Sequence, residues 1–189
     1  MGRVFSRLLT KKTALRDLVI SGLGNLVIVL RTRSRACVER PGDQMDITGT
    51  YTFDAAADAV WTLLMDTSAI AGCVPGCREL RPDGNDRYRA ELSVPVAAVT
   101  GQFDATIALE DKVQPRSYTL VVQATGRPGF VRGQAAVTLT PDNERTTVQV
   151  TAHADVGGAI ARVGQRLLEG AARMMMDRFF ECLRRKLGD

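Results

Sequence analysis

Residues 158–186 read GAIARVGQRLLEGAARMMMDRFFECLRRK, and the spacing of the apolar positions in this stretch decides how the rest of the chain is read. At 100° per residue, Ile160, Val163, Leu167, Ala171, Met174, Met175, Phe179 and Cys182 gather on one side. Arg162, Arg166, Glu169, Arg173, Asp177 and Arg184 lie opposite them. The pattern predicts one amphipathic helix of about 28 residues, roughly 42 Å long at ~1.5 Å per residue, enough to cross a whole small sheet. Arg178 falls near the middle of the apolar stripe. Its stem either snorkels to an open edge or carries a polar anchor for a ligand head group.

Ahead of this helix, period-two alternation marks strands at 46–53, 87–94, 101–110, 118–124, 130–140 and 146–155, with a short one near 77–81. The connections PDGND at 82–86, QPR at 114–116, GRPG at 126–129 and PDNE at 141–144 are compact turn clusters. None is long enough for a crossover helix, so the sheet is expected to be an antiparallel meander. Two short helices, 56–65 with Val60, Trp61 and Leu64 at helical spacing and then 67–72, follow the first strand. Asp54 or Asp58 is placed to cap or charge the first of them. The expected class is α+β: a curved antiparallel sheet of about seven strands wrapped on a long C-terminal helix, the helix-grip arrangement.

Alternate strand positions give an apolar interior in which many side chains are small: Ala90, Ala105, Ala124, Gly133, Ala135, Ala152 and Ala154. Close packing is the general rule for interiors. A strongly curved sheet gripping one helix nevertheless encloses more space than alanine fills, so a ligand cavity is expected. Its candidate lining is Leu92, Phe103, Ile107, Leu120, Phe130 and Val137 from the strands. From the helix come Val163, Gly164, Leu167, Ala171, Met174, Met175 and Arg178, the methionines supplying an adaptable wall. The turn Cys73, Val74, Pro75, Gly76 and Cys77 is assigned to the cavity mouth.

Few residues suggest catalysis. His153 alternates with Ala152 and Ala154 and so falls on the polar face. Cys73 and Cys77 flank a Pro-Gly turn without a neighbouring His or Lys to activate a thiol, and are read as packing rather than as a redox pair. The four cysteines lack metal-site spacing and imply no disulfide framework in a chain of this size. No phosphate loop, catalytic triad order or paired-carboxylate site stands out.

Charge divides the chain. Residues 1–40 hold nine Lys/Arg against Asp17 and Glu39, whereas the remainder is mildly acidic, which excludes a nucleic-acid reading of the domain at 45–189. The apolar run LVISGLGNLVIVL at 18–30 is shorter than the ~20 residues of a spanning helix. Arg31, Arg33 and Arg35 follow it and oppose translocation, so the domain is expected in the cytoplasm. Three readings of 1–44 stand: a membrane-surface segment, a disordered arm, or an extension upstream of the true translation start.

MDITGTYTF at 45–53, Val60-Trp61, CVPGC at 73–77, and VGG at 156–158 with Gly164 resemble the family of the carbon monoxide dehydrogenase G-subunit, within the START-like (SRPBCC) helix-grip superfamily. The likeness covers 45–189. It implies a non-catalytic accessory protein of molybdenum-containing carbon monoxide dehydrogenases or related hydroxylases, membrane-associated and binding a quinone or similar lipid, with no covalent cofactor. Members of the family commonly attach to membranes through a C-terminal extension; here 1–44, on its membrane-surface reading, would have to do that work at the inner face of the cell membrane. Two other readings are a START-like cyclase or hydrolase acting on a hydrophobic small molecule, and a docking protein with a filled interior.

Overall fold

The computed structural model describes residues 43–96 and 99–188. All but the last two residues of segment 1–44, with its basic and apolar runs, lie outside the described residues. The order is β1 (Asp43–Phe53), α1 (Ala57–Met65), α2 (Thr67–Cys73), β2 (Cys77–Pro82), β3 (Arg87–Val96), β4 (Val99–Val113), β5 (Ser117–Gly126), β6 (Gly129–Asp142), β7 (Arg145–Gly158) and α3 (Gln165–Gly188). The strands form one curved antiparallel sheet in the order β1-β7-β6-β5-β4-β3-β2. β1 and β2 are therefore opposite edges, and α1 with α2 carries the chain from one edge to the other. β1 starts three residues earlier than its alternation shows, because Asp43 and Gln44 continue the ladder to Val156 and Asp155.

Local chemistry sets the boundaries. Asp66 caps α2, its carboxylate accepting from the backbone N–H of Ser68 at 2.8 Å and of Ala69 at 3.2 Å. α1 has no side-chain cap; Asp58 lies in its first turn, while Asp54 pairs with Arg145. Its entry is held by the buried Thr146 hydroxyl of β7, which donates to the Ala55 carbonyl at 2.7 Å. Between β6 and β7, Asn143 adopts the left-handed backbone that asparagine tolerates in turns.

The C-terminal element differs from its expected form. β7 runs on to Gly158, a 3₁₀ turn covers Ile160–Val163, and α3 begins only at Gln165, with 24 residues spanning ~36 Å. Gly164 separates turn from helix at φ 97° and ψ 139°, a conformation closed to side-chain-bearing residues without strain. A wheel started at 158 loses its phase there. The inward stripe runs one residue later than expected, through Leu168, Ala172, Met176, Phe180, Leu183 and Leu187. Leu167 is 62% and Met174 38% exposed, and Arg178 faces solvent rather than the apolar stripe.

Two cores lie along this stripe. Phe180 and Leu183 pack with Tyr51, Phe53, Val60, Trp61 and Leu64; the Tyr51 and Phe180 rings stack at 4.1 Å. Leu168 packs with Met45, Ile47, Phe103, Val156 and Ile160, over the small Ala90, Ala105 and Ala124. In this second core the three alanines are themselves buried. Leu168→Ala is expected to lower unfolding free energy by about 2–5 kcal/mol, and Leu167→Ala to leave it within ~0.5 kcal/mol, in urea titrations of both variants. Similar losses in the two would restore the unbroken helix phase.

Candidate ligand-binding cavity

Space remains over the first core, on the side covered by α2. A cavity of about 340 Å³, partly open to solvent, lies there, within the ~300–1,000 Å³ span of small-molecule sites. One wall is helical: Leu64, Met65, Thr67 and Ile70 from α1 and α2, and Met175, Met176, Phe179 and Phe180 from α3. The sheet supplies Leu80 and Tyr88, Ile107 and Leu109, Tyr118 and Leu120, Ala135 and Val137, and Val150 and Ala152. Ala135 and Ala152 are the smallest side chains of the lining and keep the floor low there. None of these residues is charged, and the only side-chain polar groups are the hydroxyls of Thr67, Tyr88 and Tyr118 and the thioethers of the methionines.

Val74 and Pro75 complete the lining. They sit in a tight turn closed by the Cys77 N–H donating to the Val74 carbonyl at 3.1 Å, with Gly76 at φ 77°. This is the geometry in which proline followed by glycine is favoured. Gly76 itself is exposed.

Of the residues expected at the cavity, Val74, Pro75, Ile107, Leu120, Val137 and Met175 line it. Leu92, Phe103 and Val163 belong to the second core instead, because the curvature of the sheet turns that end of β3 and β4 toward the start of α3. Phe130 is half-buried, with the Arg132 guanidinium 4.8 Å above its ring and Gly157 beneath it. Leu167, Met174 and Arg178 point to solvent and Ala171 is half-buried off the lining, consequences of the shifted helix phase, while Gly164 is exposed at the break that causes the shift. Met176, Phe179, Phe180, the α1–α2 residues and, on the sheet, Leu80, Tyr88, Leu109, Tyr118, Ala135, Val150 and Ala152 were not among the expected lining; a wheel started at Gln165 recovers Met176 and Phe180.

Cys73 is not simply a packing residue. It forms a disulfide with Cys182, joining the end of α2 to α3 across a sequence separation of 109 residues. Spacing gave no hint of it, since two helices remote in sequence bring the thiols together. Cys77 is a free, half-buried thiol whose pKa burial pushes up, an inert environment. His153 lies on the polar face, paired with Asp46. No cluster of metal-binding side chains occurs among the described residues.

Two phenols are buried. The Tyr51 hydroxyl donates to Asp177 Oδ1 at 2.6 Å, tying β1 to α3. Burial, then this bond to a carboxylate, raises its pKa well above 10. Burial alone does the same for Tyr118, whose ring meets Trp61 edge-on at 5.8 Å.

A sequence-family comparison matches residues 49–188 to the model for CoxG, the G-subunit of carbon monoxide dehydrogenase. The chain belongs to that family. Among solved structures, a conserved protein from Geobacillus kaustophilus is 36% identical, with a TM-score of 0.75 over 76% of this chain and 95% of that one. A START superfamily protein from Mycobacterium smegmatis shares the fold at 13% identity, with a TM-score of 0.56 over 75% of this chain and 95% of that one. The Zhui aromatase/cyclase from Streptomyces shares it at 17% identity, with a TM-score of 0.58 over 76% and 93% of the two chains. Comparison with curated proteins gives no match. This member of the CoxG family thus has the START-like fold, with an uncharged cavity between sheet and helices.

Two outcomes follow from the site. A disulfide that holds two helices together stabilises the fold only while it is oxidised. Dithiothreitol or Cys182→Ser is expected to cost about 2–5 kcal/mol of stability, read from thermal melts, and the variant should no longer respond to reductant. An unchanged melt would mean that the thiols are not joined. In alkali, the folded state keeps protons on Tyr51 and Tyr118 that the unfolded chain releases near pH ~10. Stability should therefore fall as pH rises above ~10, with a shallower slope in Tyr51→Phe/Tyr118→Phe. Equal slopes would show that neither phenol is shifted.

Proposed function

We propose that this protein is a non-catalytic accessory subunit that carries an uncharged hydrophobic molecule of quinone or lipid class for a molybdenum-containing carbon monoxide dehydrogenase or related hydroxylase. The observation that carries the reading is the cavity wall, in which no lining residue is charged. Apolar surface alone, at ~25 cal/mol per Å² buried, suffices to hold such a guest. Acid–base chemistry needs a group that ionises near the working pH. The cavity offers phenols and a threonine hydroxyl, and burial keeps the Tyr118 phenol protonated. A carrier therefore accounts for the site better than a cyclase or hydrolase does. The choice of partner enzyme rests on family membership.

Residues 45–189 act as the ligand-binding domain in this reading, and 1–44 as a basic, partly apolar segment that meets the inner face of the cell membrane from the cytoplasm. No helix among the described residues is long and apolar enough to span a bilayer. Basic residues beside an anionic surface each contribute about 1 kcal/mol of attraction.

Mass spectrometry of an organic extract of protein purified without detergent is expected to find a stoichiometric prenylated quinone or lipid. Val137→Glu, which places an unpaired charge on the cavity floor, should lose it. The same full-length protein should bind anionic vesicles and be released progressively by salt, whereas a form beginning at Asp43 stays in solution. An empty extract from folded protein would overturn the carrier; equal vesicle binding by both forms would remove the role given to 1–44.

A further inference from the structure

Tyr118 is the buried polar group of the cavity whose hydrogen-bonding capacity the protein leaves unused. The other buried tyrosine, Tyr51, is committed to Asp177. Thr67 and Tyr88 are only half-buried, where water reaches them. Tyr118 is 8% exposed, and burial is the sole influence on its proton; no hydrogen bond to it occurs among the described residues. Buried hydroxyls are expected to find partners, and one left without costs roughly 1–3 kcal/mol. Yet no buried side-chain oxygen or nitrogen is sealed away unsatisfied among the described residues. The Tyr118 hydroxyl is therefore reachable, and the space adjoining this buried residue is the cavity it lines.

The chemistry of that hydroxyl limits what can meet it. Held neutral by burial, it is a good donor. A carboxylate guest would enter a wall without a cation, and an ammonium guest a wall without an anion; either would be desolvated at a cost of several kcal/mol. A pure hydrocarbon would leave the hydroxyl orphaned. We propose that Tyr118 is the polar recognition group of the cavity, donating a hydrogen bond to an uncharged acceptor oxygen of carbonyl or ether type on an otherwise apolar guest. The oxygen-bearing end of the guest then lies against β5, and the methionine and phenylalanine side chains of α3 cover its apolar body. This deepens the carrier reading and rests on it.

The test uses full-length, delipidated protein, Tyr118→Phe, and two matched probes, 2-methyl-1,4-naphthoquinone and 2-methylnaphthalene, titrated by calorimetry. The phenylalanine keeps the ring against Trp61. It should weaken the quinone about three- to tenfold, the worth of one hydrogen bond, and leave the hydrocarbon within about twofold. Equal weakening of both probes, or of neither, would reduce Tyr118 to packing while the carrier reading stands. If the wild type binds neither probe, the carrier reading falls and this inference with it. Should the variant fail to fold, the infrared carbonyl stretch of the quinone bound to wild type decides. A position below that in hexane supports the hydrogen bond, and an unchanged position overturns it.

Discussion

One helix has to cover one face of a seven-stranded sheet. Strands ~4.8 Å apart make a surface roughly 29 Å across, and a helix with its side chains is only ~10 Å thick. Curvature brings the edges toward the helix, and α1 and α2 cover a further part, but the floor between them is not met everywhere. Ala90, Ala105 and Ala124 are buried in the cluster that Leu168 of α3 joins. Ala135 and Ala152 instead line the open space below α2 and α3. The cavity is thus a geometric remainder of the architecture, placed by which small residues the helix reaches.

Much of this was legible before the fold was known. Strand alternation and Pro/Gly/Asx turn clusters report on neighbours within a few residues, and so the strands from β3 to β7 appear nearly where the alternation puts them. The helix was legible in kind but not in phase. A single glycine with positive φ at 164 breaks a pattern that hydrophobicity alone reads as continuous, and Leu167, Met174 and Arg178 move outward together. The cavity was legible as a deficit of volume but not as a position, because small residues are spread over β3 to β7 and strand alternation does not say which of them a helix side chain covers. The link between Cys73 and Cys182 was illegible in principle, since it depends on where two remote helices come to rest.

The chemistry follows from composition more than from fold. A START-like sheet and helix are shared at 17% identity with an aromatase/cyclase, so the scaffold does not decide between catalysis and carriage. What bears on the chemistry is the wall itself, which has no charged lining residue to compensate a charged guest. Such a wall discriminates poorly among hydrocarbons, since each methylene adds only ~0.8 kcal/mol wherever it lies. Orientation must come from the few hydroxyls.

The disulfide also has a mechanical meaning. It closes the chain into a covalent ring that contains β2 through β7 and most of α3, with β1 and α1 outside it. A chain drawn out by its two ends would yield β1 first, unzipping from β7, and then α1. It would stop at Cys73, with 109 residues of contour, ~370 Å at full extension, held back behind the bond. The sheet floor and the α3 wall of the cavity sit inside that protected loop. Tension applied through the N-terminal side would reach the helices above the cavity long before it reached the strands beneath.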